Sequence, residues 1–172
     1  MGHNIGVTVG ELPQVSTLGR RSIQKDNSYK NNIMSRIRVL IADDHALVRE
    51  GVRAILANQG DMEIVATAEN GEEAVELFKS VHPDVVVMDI SMPKMDGIHA
   101  TELIKQEQDP VSIVILSMHV NAALIQQAIR KGAKGYVLKG SATDELPKAI
   151  RAVHNGDIFL SSTIPPDFLP RK

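Results

Sequence analysis

One stretch of the chain decides the fold: DVVVMDISMP, residues 84–93. Residues 85–88 are continuously apolar and rich in valine, which is typical of a strand buried on both faces of a parallel sheet. The apolar run ends at Asp89, and Pro93 follows in a segment typical of a turn. This stretch therefore predicts a central strand with a carboxylate at its carboxyl end.

Four similar runs lie on either side of this stretch, at residues 37–42, 63–66, 112–116 and 135–138. Between the runs, apolar residues recur with the period of amphipathic helices. Asn70 with Glu73 resembles a capping box at a helix start, and Gly132 stands where a left-handed C-terminal cap is expected. The alternation predicts a doubly wound α/β domain with a five-stranded parallel sheet and helices on both faces.

Composition limits the classes of protein that fit. The chain has 172 residues, of which 43% are hydrophobic and 23% charged, and a formal net charge of -2. These values are typical of one globular domain with tails, and they provide no broad positive surface for nucleic acid or membrane. The sequence contains no cysteine, which excludes disulfides and thiolate metal sites and makes the cytoplasm the expected location. No apolar run approaches the roughly 20 residues that span a bilayer.

The two ends of the chain differ from its middle. Residues 1–34 are polar and lack periodicity, which predicts a disordered leader; a cationic targeting peptide is the weaker alternative, and Met34 is an alternative natural start. The folded domain is expected at residues 35–160. Residues 161–172 contain three prolines, so we expect them to begin a linker or C-terminal tail.

Polar residues close most of the apolar runs. Asp43 and Asp44 follow the first run, Asp89 the third, Ser117 the fourth and Lys139 the fifth. In an open parallel sheet these ends lie along one edge, where ligands bind, so we expect the five side chains to meet there. Each residue alone is more simply an ordinary strand end or loop residue. Only their joint placement indicates a site.

Clustered carboxylates require a compensating cation, because two of them ~4 Å apart repel by about 4 kcal/mol at an effective dielectric constant of about 20. Mg²⁺ is the expected cofactor, since it prefers oxygen ligands and leaves positions for phosphate. A remaining carboxylate can attack phosphorus in line, with Lys139 and Ser117 beside the equatorial oxygens. The pattern therefore predicts phosphoryl transfer.

Four motifs now identify a family. They are VLIADDH at 39–45, VVMDISMPKMDG at 86–97, LS at 116–117 and GYVLK at 135–139. The chain resembles the receiver domain of two-component response regulators over residues 36–160. Its DDH start, AKGY at 133–136 and GDIFLS at 156–161 resemble the NarL/FixJ (LuxR-type) subfamily in particular. The resemblance implies the flavodoxin-like strand order 2-1-3-4-5.

The resemblance also implies an acceptor and a metal site. Asp89 would accept a phosphoryl group from the phosphohistidine of a sensor histidine kinase. Asp44 would ligate Mg²⁺ directly and Asp43 mainly through water. Asp89 and the backbone carbonyl of Ser91 would complete the ligand set.

A conformational switch follows from the same resemblance. Ser117 would bond a phosphoryl oxygen, Lys139 would pair with the phosphoryl group, and Tyr136 would reorient as the loop after the fourth strand moves. In most proteins Tyr136 would simply be a half-buried strand residue. Pro93 and Gly97 would shape the turn beyond the acceptor. The expected output is altered self-association, which makes a second copy of the chain the expected partner besides the kinase.

Other functions and sites can be compared with this pattern. An FMN-binding flavodoxin-like domain has the same architecture, but Asp43 and Asp44 would repel a flavin phosphate. An aspartate-nucleophile phosphohydrolase carries Asp-x-Asp on one strand, and residues 89–91 lack the second acid. A histidine metal site lacks the ligand spacing. NarL/FixJ relatives generally continue into a helix-turn-helix, so we expect DNA binding only through an output domain missing from this chain, which is then an excised or stand-alone receiver.

Overall fold

The computed structural model describes residues 35–107 and 110–170, so the predicted leader at 1–34 lies outside the described residues. The strands are β1 (Ile37–Ala42), β2 (Met62–Ala68), β3 (Val85–Asp89), β4 (Ser112–Ser117), β5 (Gly135–Leu138) and β6 (Phe159–Leu160). The helices are α1 (Ala46–Ala57), α2 (Gly71–Val81), α3 (Gly97–Gln106), α4 (Ala122–Arg130) and α5 (Ala142–His154). Short 3₁₀ helices cover Lys139–Ser141 and Pro166–Phe168.

The strands form one parallel sheet in the order β2-β1-β3-β4-β5-β6. The first five follow the expected order 2-1-3-4-5. The prediction of a five-stranded sheet was wrong, because β6 adds a sixth strand at the edge beside β5. The added strand lies at the far edge, so it leaves the neighbours of β3 unchanged.

The sixth strand forms because the chain turns back after α5. Gly156 has a φ of 95°, in the left-handed region that favours glycine. Phe159 then donates its N–H to the carbonyl of Lys134, and Ser161 donates its N–H to the carbonyl of Tyr136, each at 2.9 Å. A strand of 2 residues is too short to show a period of two in the sequence. Its existence depends on the free edge of β5, which the sequence pattern does not display.

Apolar side chains cover both faces of the sheet. Helices α1 and α5 pack on one face through Leu56 and Ile150. Helices α2, α3 and α4 pack on the other through Phe78, Ile104 and Ile125. Complete burial of such a side chain stabilises the fold by about 1.5–3 kcal/mol. This two-sided burial explains why the central strands have continuously apolar sequences.

The helices are short and begin or end at recognisable caps. Asn70 accepts a hydrogen bond from the N–H of Glu73 at 3.0 Å, as predicted, while the Glu73 carboxylate accepts from Glu69 rather than from Asn70. Gly132 follows α4 with a φ of 108°, also as predicted. The longest described helix, α5, has 13 residues. No helix in the described part of the chain has both the length and the apolarity needed to cross a membrane.

Candidate functional site

The carboxyl ends of four strands lie side by side, as the sequence predicted. We call this row of strand ends the carboxyl edge, and the row at the opposite ends of the strands the amino edge. Asp43 follows β1, Asp89 ends β3, Ser117 ends β4, and Lys139 follows β5. The strand register aligns these positions, since Asp89 pairs with Leu116 and Ser117 pairs with Leu138. The parallel sheet therefore brings together residues that are far apart in the sequence.

Lys139 lies between two buried carboxylates. Its Nζ is 2.7 Å from Asp43 Oδ2 and 3.1 Å from Asp89 Oδ1. The Lys139 side chain is 12% exposed, and those of Asp43 and Asp89 are 1% and 6% exposed. When both carboxylates are ionised, one ammonium group faces two negative charges away from bulk water. The cluster therefore carries an excess of negative charge.

The pKa values report this imbalance. Burial raises the pKa of Asp89 and the Asp43 charge raises it further, while Lys139 opposes both effects. Burial disfavours the charged form of Lys139, but its contacts with Asp43 and Asp89 outweigh this and raise its pKa. Lys139 is therefore held protonated beside a carboxylate that the site itself does not fully neutralise.

The turn after β1 adds a third carboxylate, that of Asp44, and the imidazole of His45. The backbone N–H of His45 donates to Asp43 Oδ1 at 2.8 Å, and His45 Nδ1 lies 3.0 Å from Asp44 Oδ1. Potential ligand atoms of Asp43, Asp44 and His45 all lie within 4.8 Å of one another. The histidines lack metal-ligand spacing in the sequence, and the structure adds that the His45 ring turns towards the carboxylates of both preceding acids.

These donors fit a hard divalent cation. Asp43 Oδ2 is buried and accepts no hydrogen bond of regular geometry from the described residues, although Lys139 lies close to it. A buried carboxylate oxygen with spare acceptor capacity, beside further carboxylates in a partly open cleft, is the oxygen-rich environment that Mg²⁺ prefers. The residues present therefore suit the ion that the sequence led us to expect.

The backbone of His119 connects Ser117 with Tyr136. Its N–H donates to Ser117 Oγ at 3.1 Å, and its carbonyl accepts from the Tyr136 hydroxyl at 3.0 Å. The Tyr136 side chain is completely buried, and burial raises its pKa. The two residues predicted to form the switch thus contact the backbone of the same residue, His119, in the loop after β4.

The turn beyond Asp89 approaches that residue closely. A β-carbon at Gly97 would overlap the carbonyl oxygen of Asp89, so this position requires glycine. Gly97 also donates its N–H to the carbonyl of Ile90 at 2.8 Å. Ser91 is exposed and lines a cleft of about 200 Å³ together with Asp89, Ser117 and Lys139. The cleft gives a ligand of phosphate size access to the acidic cluster.

Arg49, a residue that we did not predict to belong to the site, lies in the first turn of α1 and contacts the acidic turn. Its Nη1 donates to the backbone carbonyl of Asp43 at 2.8 Å. A signal was present, because a cation in the first turn of a helix opposes the helix dipole. A basic residue there, six and five residues after Asp43 and Asp44, indicates an additional partner for the acidic turn.

Known proteins are similar to this chain in sequence and in fold. The family model of the response regulator receiver domain matches residues 39–151. The transcriptional regulatory protein DegU of Brevibacillus brevis is 40% identical over 126 residues, covering 73% of this chain and 53% of DegU. A LuxR-family two-component response regulator from Aurantimonas sp. SI85-9A1 is 38% identical, with a TM-score of 0.71 over 78% of this chain and 93% of that one. The signal receiver domain of NarL from Mycobacterium tuberculosis is 36% identical, with a TM-score of 0.69 over 71% of this chain and 98% of that one.

Proposed function

The chain belongs to the response regulator receiver domain family, in its NarL/FixJ (LuxR-type) group, and we propose that Asp89 is its phosphate-accepting residue. The donor is the phosphohistidine of a sensor histidine kinase. The product is an aspartyl phosphate that changes the conformation of the domain. Membership of this family of signalling switches replaces the flavodoxin-like and phosphohydrolase alternatives that the sequence left open.

The observation that carries the proposal is the Asp89 carboxylate at the cleft, with the Lys139 ammonium 3.1 Å away. An Asp89 oxygen attacks phosphorus, the bond from phosphorus to the histidine nitrogen breaks, and the imidazole leaves. Lys139 and the Ser117 hydroxyl are placed to contact phosphoryl oxygens as charge develops on them. The domain thereby assists its own phosphorylation, and water can reverse the modification.

Mg²⁺ is the cofactor of this proposal. Asp43, Asp44, Asp89 and the backbone carbonyl of Ser91 would hold it, with Asp43 acting mainly through water. When bound, the ion neutralises charge on the phosphoryl oxygens. Lys139 supplies a positive charge from the protein itself, and its ammonium bridges the Asp43 and Asp89 carboxylates.

The switch operates through the loop after β4. Phosphorylation adds about -1.5 to -2 charge at Asp89. Ser117 Oγ, which accepts from the His119 N–H, then turns towards a phosphoryl oxygen. The His119 carbonyl carries the movement to Tyr136, which lies on β5 beside β6. We propose that the result is altered self-association of the chain.

We propose that phosphorylation of this domain controls transcription. The chain spans just over half of the curated relatives it matches, covering 53% of DegU from Brevibacillus brevis and 56% of LnrK from Bacillus subtilis, both transcriptional regulatory proteins. We propose that a helix-turn-helix domain reads the state of this receiver and contacts DNA. The cysteine-free composition agrees with a cytoplasmic setting.

The test is intact-mass spectrometry after incubation with Mg²⁺ and a phosphodonor. We expect one phosphoryl adduct on the wild-type protein, lost on chelation of Mg²⁺ and absent from Asp89→Asn. Asp61→Asn is the matched control, because it removes an aspartate at the opposite edge of the sheet and should leave the adduct intact. Both a small phosphodonor and a phosphorylated histidine kinase serve as donors.

Two results would count against the proposal. An adduct that persists in Asp89→Asn would move the acceptor to another residue. A protein that stays unmodified with both donors would not be a phosphorylation switch.

A further inference from the structure

Arg49 is held against the acidic turn rather than extended into solvent. Its Nη1 donates to the carbonyl of Asp43 and its Nη2 to Glu69 Oε1, both at 2.8 Å. The Arg49 side chain is 13% exposed, whereas that of Glu69 is 67% exposed. The guanidinium therefore donates two hydrogen bonds from different nitrogens, while most of its surface is removed from water.

The placement of Arg49 costs free energy in two ways, one electrostatic and one entropic. Arg49 is in the first turn of α1, where the helix dipole disfavours a cation. Burial of a flexible arginine also removes side-chain entropy. The compensation comes from charge-assisted hydrogen bonds and from the neighbouring acids of the β1 turn. The Arg49 guanidinium therefore interacts mainly with the turn after β1.

The contact of Arg49 with the Asp43 carbonyl bears directly on the acidic turn. Asp43 donates its N–H to the Ala68 carbonyl at 3.1 Å, and α1 begins with hydrogen bonds to the carbonyl of His45. The peptide that follows Asp43 therefore lies between the end of β1 and the start of α1. Its orientation determines where the carboxylates of Asp43 and Asp44 point. Arg49 fixes one end of that peptide.

The second partner connects the turn to the rest of the site. Glu69 donates its N–H to Glu73 at 2.8 Å, at the start of α2. Gly71 donates its N–H to the carbonyl of Met95 at 3.1 Å, in the turn beyond Asp89. Arg49 therefore joins the turn after β1 to the loop before α2, and that loop is joined to the turn after β3.

We propose that Arg49 is a positioning residue of the metal site, which orients Asp43 and Asp44 through the backbone between them. The inference rests on the proposed function, because it takes Asp43 and Asp44 to be cation ligands. Partners of this kind, which orient metal ligands without touching the metal, typically contribute a factor of about 10 to 100 in metal affinity. Arg49 acts on how tightly the cation binds and leaves the chemistry at Asp89 unchanged.

Arg53 provides a matched control one turn further along α1. Its guanidinium pairs with Glu50 at 3.5 Å and with Thr67 Oγ1 at 3.3 Å. The side chain is 44% exposed. Arg53→Ala thus removes the same charge from the same helix without removing a contact to Asp43.

The experiment measures Mn²⁺ binding by electron paramagnetic resonance, with Mg²⁺ as a competitor to show that both ions use one site. We expect Arg49→Ala to weaken Mn²⁺ binding by about tenfold and Arg53→Ala to change it by less than about twofold. Arg49→Lys, which keeps one charged donor for the Asp43 carbonyl, should restore part of the loss. Glu69→Gln, which keeps an acceptor for Arg49, should remain near the wild type.

Phosphorylation kinetics give a second readout. In Arg49→Ala the Mg²⁺ concentration for half-maximal rate should rise by the same factor, while the rate at saturating Mg²⁺ stays near the wild-type value. Equal Mn²⁺ affinity in Arg49→Ala and wild type would overturn the inference, even if the variant melts at a lower temperature. An equal loss in Arg53→Ala would also overturn it, because the effect would then be general electrostatics. Failure of the wild type to bind Mn²⁺ would instead refute the proposed function.

Discussion

Two carboxylates at opposite edges of the sheet pair with cations in different ways. Asp61 directly precedes β2 at the amino edge, where Arg151 Nε lies 2.7 Å from Oδ2 and Nη2 lies 2.8 Å from Oδ1. The Arg151 hydrogen bond lowers the pKa of Asp61 against the opposing effect of its slight burial. Asp89 at the carboxyl edge shares one ammonium with Asp43, and burial raises its pKa.

The difference distinguishes a structural ion pair at the amino edge from the cluster at the carboxyl edge that we propose to react. The amino-edge pair is bidentate, and Gln59 occupies a further donor of Arg151 at 2.6 Å. Each charge there has its own partner and remains partly open to water. The carboxyl edge instead concentrates negative charge away from water, so the folded state alone does not neutralise it. Such incomplete neutralisation agrees with the proposed cation site, because a bound cation would offset the excess negative charge.

The largest expected effect is on phosphorylation. Lys139→Ala should lower the rate of phosphoryl transfer by about 100-fold or more, since it removes a charged donor to the developing phosphoryl charge. Arg151→Ala should leave that rate within about twofold, because its guanidinium serves only the amino edge. The initial rate of adduct formation by intact mass measures both. Similar losses in the two variants would erase the distinction between the edges.

A second prediction concerns stability in metal-free buffer at pH 7. Asp89→Asn should raise the free energy of unfolding by about 1–2 kcal/mol, because it removes an ionised group from a buried cluster with excess negative charge. The raised pKa of Asp89 gives the same sign, since the ionised form is disfavoured in the folded state. Urea unfolding of both proteins measures the change. A less stable Asp89→Asn protein would show that the cluster is already neutralised.

Mg²⁺ should reduce the difference in unfolding free energy between Asp89→Asn and the wild type. At a Mg²⁺ concentration ten times the dissociation constant, the wild type should gain about 1.4 kcal/mol in unfolding free energy. Asp89→Asn should gain less at the same concentration, because it lacks one of the proposed ligands. The same urea titration, repeated with and without Mg²⁺, provides the comparison. Equal gains would place the bound ion away from Asp89.

The smallest expected effect is the loss of stability when the ion pair at the amino edge is broken. Asp61→Asn should lower the unfolding free energy by no more than about 1 kcal/mol, because the pair is partly exposed and screened by solvent. The pKa of Asp61 is lowered in the folded state. Its contribution is therefore present above the unfolded value of about 3.9 and is lost as the pH falls through the lower folded value.

Unfolding measured from pH 7 to pH 3 tests this sign. The difference between wild type and Asp61→Asn should stay constant down to about pH 5 and shrink below about pH 4. Arg151→Gln should give the same profile, since either change breaks the same pair. A difference that grows on acidification would contradict a lowered pKa of Asp61.

The candidate site could be predicted well from the sequence because its members follow strands. Asp89 and Ser117 each end a strand, and Lys139 directly follows one. In a parallel sheet that position alone places them on one edge. The shared contact of Ser117 and Tyr136 with His119 could not be predicted, because it depends on the path of an irregular loop.

By itself, the sequence determined the alternation of strands and helices, the order of the first five strands through the family resemblance, and the acids at the carboxyl edge. Apolar periodicity and strand-end chemistry are local properties, so they can be read one segment at a time. Only the tertiary structure decided the pairing of β6 with β5, the contact of Arg49 with Asp43, and the bidentate pair of Arg151 with Asp61. These contacts join segments or loop conformations that carry no periodic signal, and their energies depend on burial and geometry that exist only after folding.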